Sequence, residues 1–206
     1  MTLSEKELPK RRSKPSNKAL KIKKQRRWTI FITIWTFFLS IGINLVTELF
    51  IHNTKILFSL GILITIIAIG IFFDMVGIAV ASASMPPFNA MAANRVKGSK
   101  EAVGIVKNAS QVSNFCNDVI GDICGIVSGA TAISIIYQIG MIYNLRDTTI
   151  LVIVINGFVA ALTVGGKALG KNVAMEKNTR IVYQFGLVMA FVKNPLAFRK
   201  GDKGSV

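Results

Sequence analysis

The chain has 206 residues, 51% of them hydrophobic, and a formal net charge of +15, with a mean hydropathy of +0.52. Its apolar residues fall in long blocks rather than short amphipathic stripes. That pattern excludes an ordinary soluble core and points to membrane spans.

Residues 1–27 hold eleven Lys/Arg against two Glu. They are expected to form a disordered basic cytoplasmic tail, with a short helix starting at Asn17. Beside a span, such a tail sets topology and touches anionic lipid more often than nucleic acid. The expected partners are therefore the bilayer and, for residues 1–27, anionic lipid headgroups. Nucleic acid is not expected.

Residues 28–50, "WTIFITIWTFFLSIGINLVTELF", read as a first transmembrane helix. The apolar run exceeds that of a signal peptide and no small-residue cleavage site follows. "IHNTK" is a turn that would leave His52, the only histidine, in a solvated loop. "ILFSLGILITIIAIGIFF" (56–73) begins a second span that continues through Asp74 to residue 85, with Pro86 and Pro87 ending it. Residues 88–112 are polar and basic and suggest a helix-turn-helix connector bent at Gly98.

Residues 113–143 form the third span and 149–167 the fourth, joined by the short turn "NLRDT". Apolar residues at helical spacing over 171–193 (Val173, Ala174, Ile181, Val182, Phe185, Val188, Met189, Val192) suggest an amphipathic juxtamembrane helix lying on the membrane surface. Residues 197–206 form a second basic tail. The fold class is thus all-α: a polytopic membrane protein with about four transmembrane helices and a C-terminal amphipathic helix. Lys/Arg enrichment in the N-terminal tail, the connector and the C-terminal segment predicts a multi-pass protein of the cell membrane with both termini cytoplasmic.

Gly121, Gly125 and Gly129 make a GxxxGxxxG ridge on the third span, suited to close helix packing. The small residues Gly77, Ala79, Ala81, Ser82, Ala83 and Ser84 of the second span are its expected partner. Cys116 and Cys124, the only cysteines, are roughly 12 Å apart on one helix at 1.5 Å per residue. That is beyond disulfide reach, so they read as small buried thiols.

The unusual feature is ionic. An acid at the centre of a span costs about 2.5–3.5 kcal/mol on insertion scales, yet Asp118 and Asp122 sit one turn apart on the third span. Asp74 on the second span and Lys167 at the end of the fourth belong at the same level. Water reaching Asp118 and Asp122 at the start of the helix, and Lys167 snorkelling to the interface, would explain them without function. Otherwise Asp74, Asp118, Asp122 and Lys167 form either a site for a hard cation or an ion-pair network. Asp118 and Asp122 are the candidate metal ligands. No phosphate loop, Ser/His/Asp arrangement or metal-hydrolase spacing is present in the sequence, so an enzyme is not expected, and no cofactor is expected with certainty.

From Phe72 to about Leu196 the chain resembles the transmembrane domain of the CNNM/CorC (CorB-like) magnesium and cobalt transporters. "FFDMVGIAVASAS" keeps the paired aromatics, Ala79, Val80 and Ser84 of the first family motif. "IGDICGIVSGA" places Gly121 and Asp122 near the second, and "GKALGKNVA" keeps Gly166, Lys171 and Ala174 of the third. With the rest of the span that leads into it, the resembling domain is 56–196, and residues 28–50 are an added first helix. The resemblance implies divalent-cation transport, with Mg²⁺ as the bound or transported ion, and a homodimer. The chain ends where that family continues into CBS domains, so nucleotide regulation is expected to be absent.

The departures fall on the metal site. Where the family has Ser, Asn and Glu, this chain has Asp74, Gly121/Asp122 and Lys167. Two readings follow. One is cation transport through a polar site in the cytoplasmic half of the bundle. The other is a non-transporting structural or partner-binding protein in which an Asp74–Lys167 ion pair replaces the metal. A third, a scaffold acting through its basic tail, rests on residues 1–27 alone.

Overall fold

A computed structural model describes residues 17–52 and 55–193. The expected tail up to residue 16, the turn residues 53 and 54, and the basic tail at 197–206 lie outside them. The elements in chain order are α1 (Asn17–His52), α2 (Ile56–Ser82), α3 (Met85–Ala93), α4 (Ser99–Lys107) and α5 (Ala109–Asn114), then a π-helical segment (Phe115–Gly121), α6 (Asp122–Ile142), α7 (Thr149–Glu176) and α8 (Asn178–Lys193). No strand occurs among the described residues. Four stretches are long and apolar enough to cross a membrane: Arg26–Ile51, Ile56–Ser82, Ala109–Ile142 and Thr149–Glu176. The fold is all-α and polytopic.

The chain divides into two units, Met1–Phe38 and Leu39–Val206. The described part of the first is a single helix. The helix starts at Asn17 as expected, but it is not a short separate one: residues 17–27 run without a break into the span. They are rich in straight-chain Lys, Arg, Leu and Gln, which lose little rotamer freedom in a helix, and the apolar span supplies the nucleus they would otherwise lack. Trp28, Phe31 and Trp35 stack along one face with ring centroids 6.3 Å apart at each step.

The second unit holds everything else. The end of α1 is fastened to α6 by two hydrogen bonds, from Ser134 Oγ to Glu48 Oε2 at 2.8 Å and from Gln138 Nε2 to the Ile51 carbonyl at 2.7 Å. His52 closes α1 rather than sitting in a loop. α2 stops at Ser82, and Pro86 and Pro87 open α3 instead of ending α2. That is the usual place for proline, because the first helical positions have no intrahelical use for an N–H.

At this end of the bundle one core joins Val76, Ala79 and Val80 of α2 to Phe88, Ala102, Ile105, Cys116, Ala174 and Val182. A second core, at the opposite end, joins Leu63 and Ile67 of α2 to Ala132, Ile135 and Val159.

The juxtamembrane helix is placed differently from its expected 171–193. Residues 171–176 continue α7, and the chain bends at Lys177 before α8. Asn178 holds the bend: its Nδ2 donates to the carbonyls of Ser82 and Met175, both at 3.2 Å. Part of the apolar stripe read as membrane-facing faces protein instead. Ala174 and Val182 are fully buried, and Gly186 lies so close to α4 that a Cβ there would stand 3.0 Å from Ala102. The connector is a helix-turn-helix as expected, with Gly98 in the left-handed region (φ +76) immediately before α4.

Candidate functional site

The site is built where α2, the third span and α7 meet. α2 and the third span run antiparallel along a seam of three close steps. A Cβ on Gly77 would lie on Asn117 Oδ1 and 3.0 Å from the Ser113 carbonyl. Gly121 faces Asp74, whose Oδ1 would be 3.3 Å from a Cβ there. Gly70 faces Cys124, whose Cβ would be 2.8 Å away. Each step sets a glycine against a side chain of the opposite helix, so the backbones approach as in small-residue membrane interfaces.

α7 joins α2 in parallel through Gly166 and Gly170. A Cβ on Gly166 would collide with Ile71, and one on Gly170 would stand 2.6 Å from Met75 Cγ. This G-x-x-x-G pair in "GKALG" was not anticipated, although its spacing is the same signal that drew attention to the third span. Conversely, only Gly121 of the expected ridge meets a neighbour. Gly125 and Gly129 have nothing within 4 Å of a built Cβ. α2 approaches the third span on the face holding Asn117, Gly121 and Cys124, which turns the two later glycines away.

With α7 set this close, Lys167 projects between the other two spans. Its Nζ is 3.5 Å from Asp74 Oδ1 and 3.8 Å from Asp122 Oδ1. It also lies 3.6 Å from where a Gly121 Cβ would be, so any larger residue at 121 would crowd the ammonium. The Asp74 side chain is 15% exposed and that of Lys167 25%, whereas Asp122 is 67% exposed. The pair with Asp74 is therefore the sheltered one, and Asp122 is the outer, better hydrated partner. Two carboxylates and one ammonium leave the cluster at net −1.

Of the four residues expected to gather, Asp74, Asp122 and Lys167 do so and Asp118 does not. Asp118 is exposed and has no ion pair among the described residues. Asp118 lies in the π-helical segment, one turn nearer the start of the span than Asp122, and Lys167 meets Asp122 instead. The same segment carries Asn117 against α2, where its Oδ1 is buried with no hydrogen-bond partner. Among the described residues no group of three or more His, Cys, Asp or Glu is placed to hold a metal ion. Asp118 and Asp122 thus do not form a ligand pair with a third such residue.

No family model, curated protein or solved structure matches the chain.

Proposed function

We propose that this is a non-transporting, non-enzymatic multi-pass membrane protein, structural or partner-binding in role, whose bundle is locked by an internal cation. The observation that carries this reading is the position of Lys167 Nζ, within 4 Å of carboxylates on both other helices of the site. An ammonium there takes the place that a free cation would need. It also satisfies Asp74, a carboxylate that is costly to leave unpaired within a span. Lys/Arg enrichment in the two tails and the α3–α4 connector supports a topology with both termini and that connector on the cytoplasmic side of the cell membrane.

A second reading, divalent-cation transport, is favoured by one specific feature. The π-helical segment presents a buried, unpartnered oxygen, Asn117 Oδ1, four residues from Gly121. Buried polar atoms are rarely left unmatched, and π-helical turns are frequent at functional sites. Mg²⁺, a hard ion that takes oxygen ligands, would be the cargo under this reading.

Thermal unfolding of the detergent-purified chain with and without Mg²⁺, Mn²⁺, Co²⁺ and Ca²⁺ separates the two. A ligand at about 100 times its Kd adds about 2.7 kcal/mol. The locked bundle is expected to show no selective shift at millimolar metal. A saturable shift for one ion, abolished by Asp122→Asn, would overturn it in favour of transport.

A further inference from the structure

The ion cluster is unbalanced on one side. Lys167 neutralises one of two carboxylates, and Asp122, the outer one, is 67% exposed. Asp122 opens α6, whose 21 residues end at Ile142. At 1.5 Å per residue it stands roughly 30 Å from the far end of the span, at the inner edge of the hydrocarbon core. An exposed, partly neutralised carboxylate at that depth is a partner for a cation at the same depth.

Asp122 heads a face of α6 that no other element covers. Gly125 and Gly129 follow it on the same side of the helix, and a Cβ on either would have nothing within 4 Å. Ile126 and Ile133 beside them are exposed. α7 runs antiparallel along this face, with Lys167 against Asp122. It meets α2 through Gly166 and Gly170, so it leans on α2 and leaves a groove open over Gly125 and Gly129.

Further out, Asn156 lies on the same side of α7 as Lys167, eleven residues away, or about 16 Å along the axis. Its side chain is half-buried and has no hydrogen bond among the described residues. Thr163, between the two, satisfies itself by donating to the Val159 carbonyl at 2.8 Å. An unmatched amide at membrane depth is a group that a neighbouring helix can satisfy.

We propose that the groove between α6 and α7 docks a transmembrane helix of another membrane protein. That helix carries Lys or Arg at the inner edge of the membrane and a hydrogen-bonding residue about eleven positions further out. Asp122 selects the cation, Asn156 selects the polar residue, and the two glycines let the backbones approach closely. The proposal rests on the partner-binding reading above.

Energy transfer between the donor-labelled full chain and an acceptor-labelled peptide in phosphatidylcholine vesicles tests it. The probe is a Leu/Ala transmembrane peptide with one Lys in its first turn and Ser about eleven positions on. Wild type should bind it about tenfold more tightly than the same peptide with Leu for Lys, and roughly threefold more tightly than the one with Ala for Ser. Asp122→Asn should abolish the Lys preference and keep the Ser preference, which shows that the groove is still folded. Asn156→Leu should do the reverse. Gly129→Leu, which fills the groove, should weaken all three peptides together.

Three results would overturn the proposal. One is equal binding of the Lys and Leu peptides by wild type. Another is a Lys preference undiminished in Asp122→Asn, which would put the helix elsewhere. The third is a wild-type dimer that the peptide does not displace and that Gly129→Leu dissociates, which would make the groove an interface between copies of this chain. Metal titration of the same preparation keeps two failures apart. A saturable shift abolished by Asp122→Asn sinks the partner-binding reading itself, whereas lost peptide preference without a metal shift sinks only the docking groove.

Discussion

The third and fourth spans have nearly the same mean hydropathy, 1.9 and 2.1, yet 56% of the most apolar 18-residue stretch of the third is buried and only 6% of the fourth. Hydropathy reports that a helix belongs in lipid. It does not report which helix other helices surround. The third span is central because it carries the groups that cannot face hydrocarbon cheaply: Ser113, Asn117, Ser128 and Thr131. Ser128 satisfies itself by donating to the Gly125 carbonyl at 2.8 Å, while the oxygens of Asn117 and Thr131 are buried without partners. The fourth span instead leaves Ile150, Ile153, Val154, Phe158, Val164 and Leu169 exposed. It touches the site through a glycine pair and one lysine.

The comparison breaks most sharply at Gly77. Gly77→Leu would force a side chain onto both Asn117 and the Ser113 carbonyl, and backbone cannot yield as a side chain can. A loss of about 3 kcal/mol is expected by thermal or denaturant unfolding in detergent. A double variant with Asn117→Ala should recover part of that loss, since residues in contact are coupled.

On the fourth span, Gly166→Leu or Gly170→Leu should cost about 1–2 kcal/mol, because the obstacles are the flexible ends of Ile71 and Met75. Gly125→Ala and Gly129→Ala, facing open space, should stay within about 0.5 kcal/mol of wild type. If they cost as much as Gly170→Leu, the third-span ridge is packed after all.

Lys167→Met should cost about 1–2 kcal/mol. That is below the range for fully buried pairs, because water reaches Asp122 and part of Lys167. Asp74→Asn in the same chain should restore most of the stability, by removing the stranded charge. Failure of that rescue would mean that Lys167 is held by packing rather than by charge.

The smallest effect concerns the start of the fourth span. The Asp147 carboxylate accepts the Thr149 N–H at 2.9 Å, and hydrogen bonds from the Thr149 side chain and backbone hold its pKa below the ordinary value. A depressed carboxylate pKa contributes stability above the unfolded-state pKa, and that contribution is lost as pH falls through the lower, folded-state value. Asp147→Asn should therefore lower stability slightly at neutral pH and flatten its decline below about pH 4. The effect should be confined to the start of α7 in amide hydrogen exchange.

Long apolar blocks made the spans readable, because a run of 18 or more apolar residues has few alternatives to a membrane helix. The cluster was partly readable. Helix lengths at 1.5 Å per residue set Asp74 and Lys167 at one height, and the structure has them 3.5 Å apart. Spacing puts Asp118 and Asp122 on one face but does not give the height at which Lys167 arrives, which is that of Asp122. The glycine seams were half readable. Spacing marks a glycine ridge but not which neighbour meets it, so Gly125 and Gly129 read as packing positions while Gly166 and Gly170, which do meet α2, do not. The stripe of the juxtamembrane helix was read as lipid-facing because hydrophobic periodicity does not distinguish acyl chains from the buried face of α4.

The chain order of the ion cluster bears on how the protein is made. Asp74 and Asp122 leave the ribosome before Lys167, so a nascent chain holding the first three spans carries two carboxylates and no counter-charge beside them. Membrane integration of α7 delivers the missing ammonium and the Gly166–Gly170 surface together. A product truncated before residue 167 retains two acids without the ammonium that lies between them. Lys167 therefore marks the point in synthesis at which the ion cluster is complete.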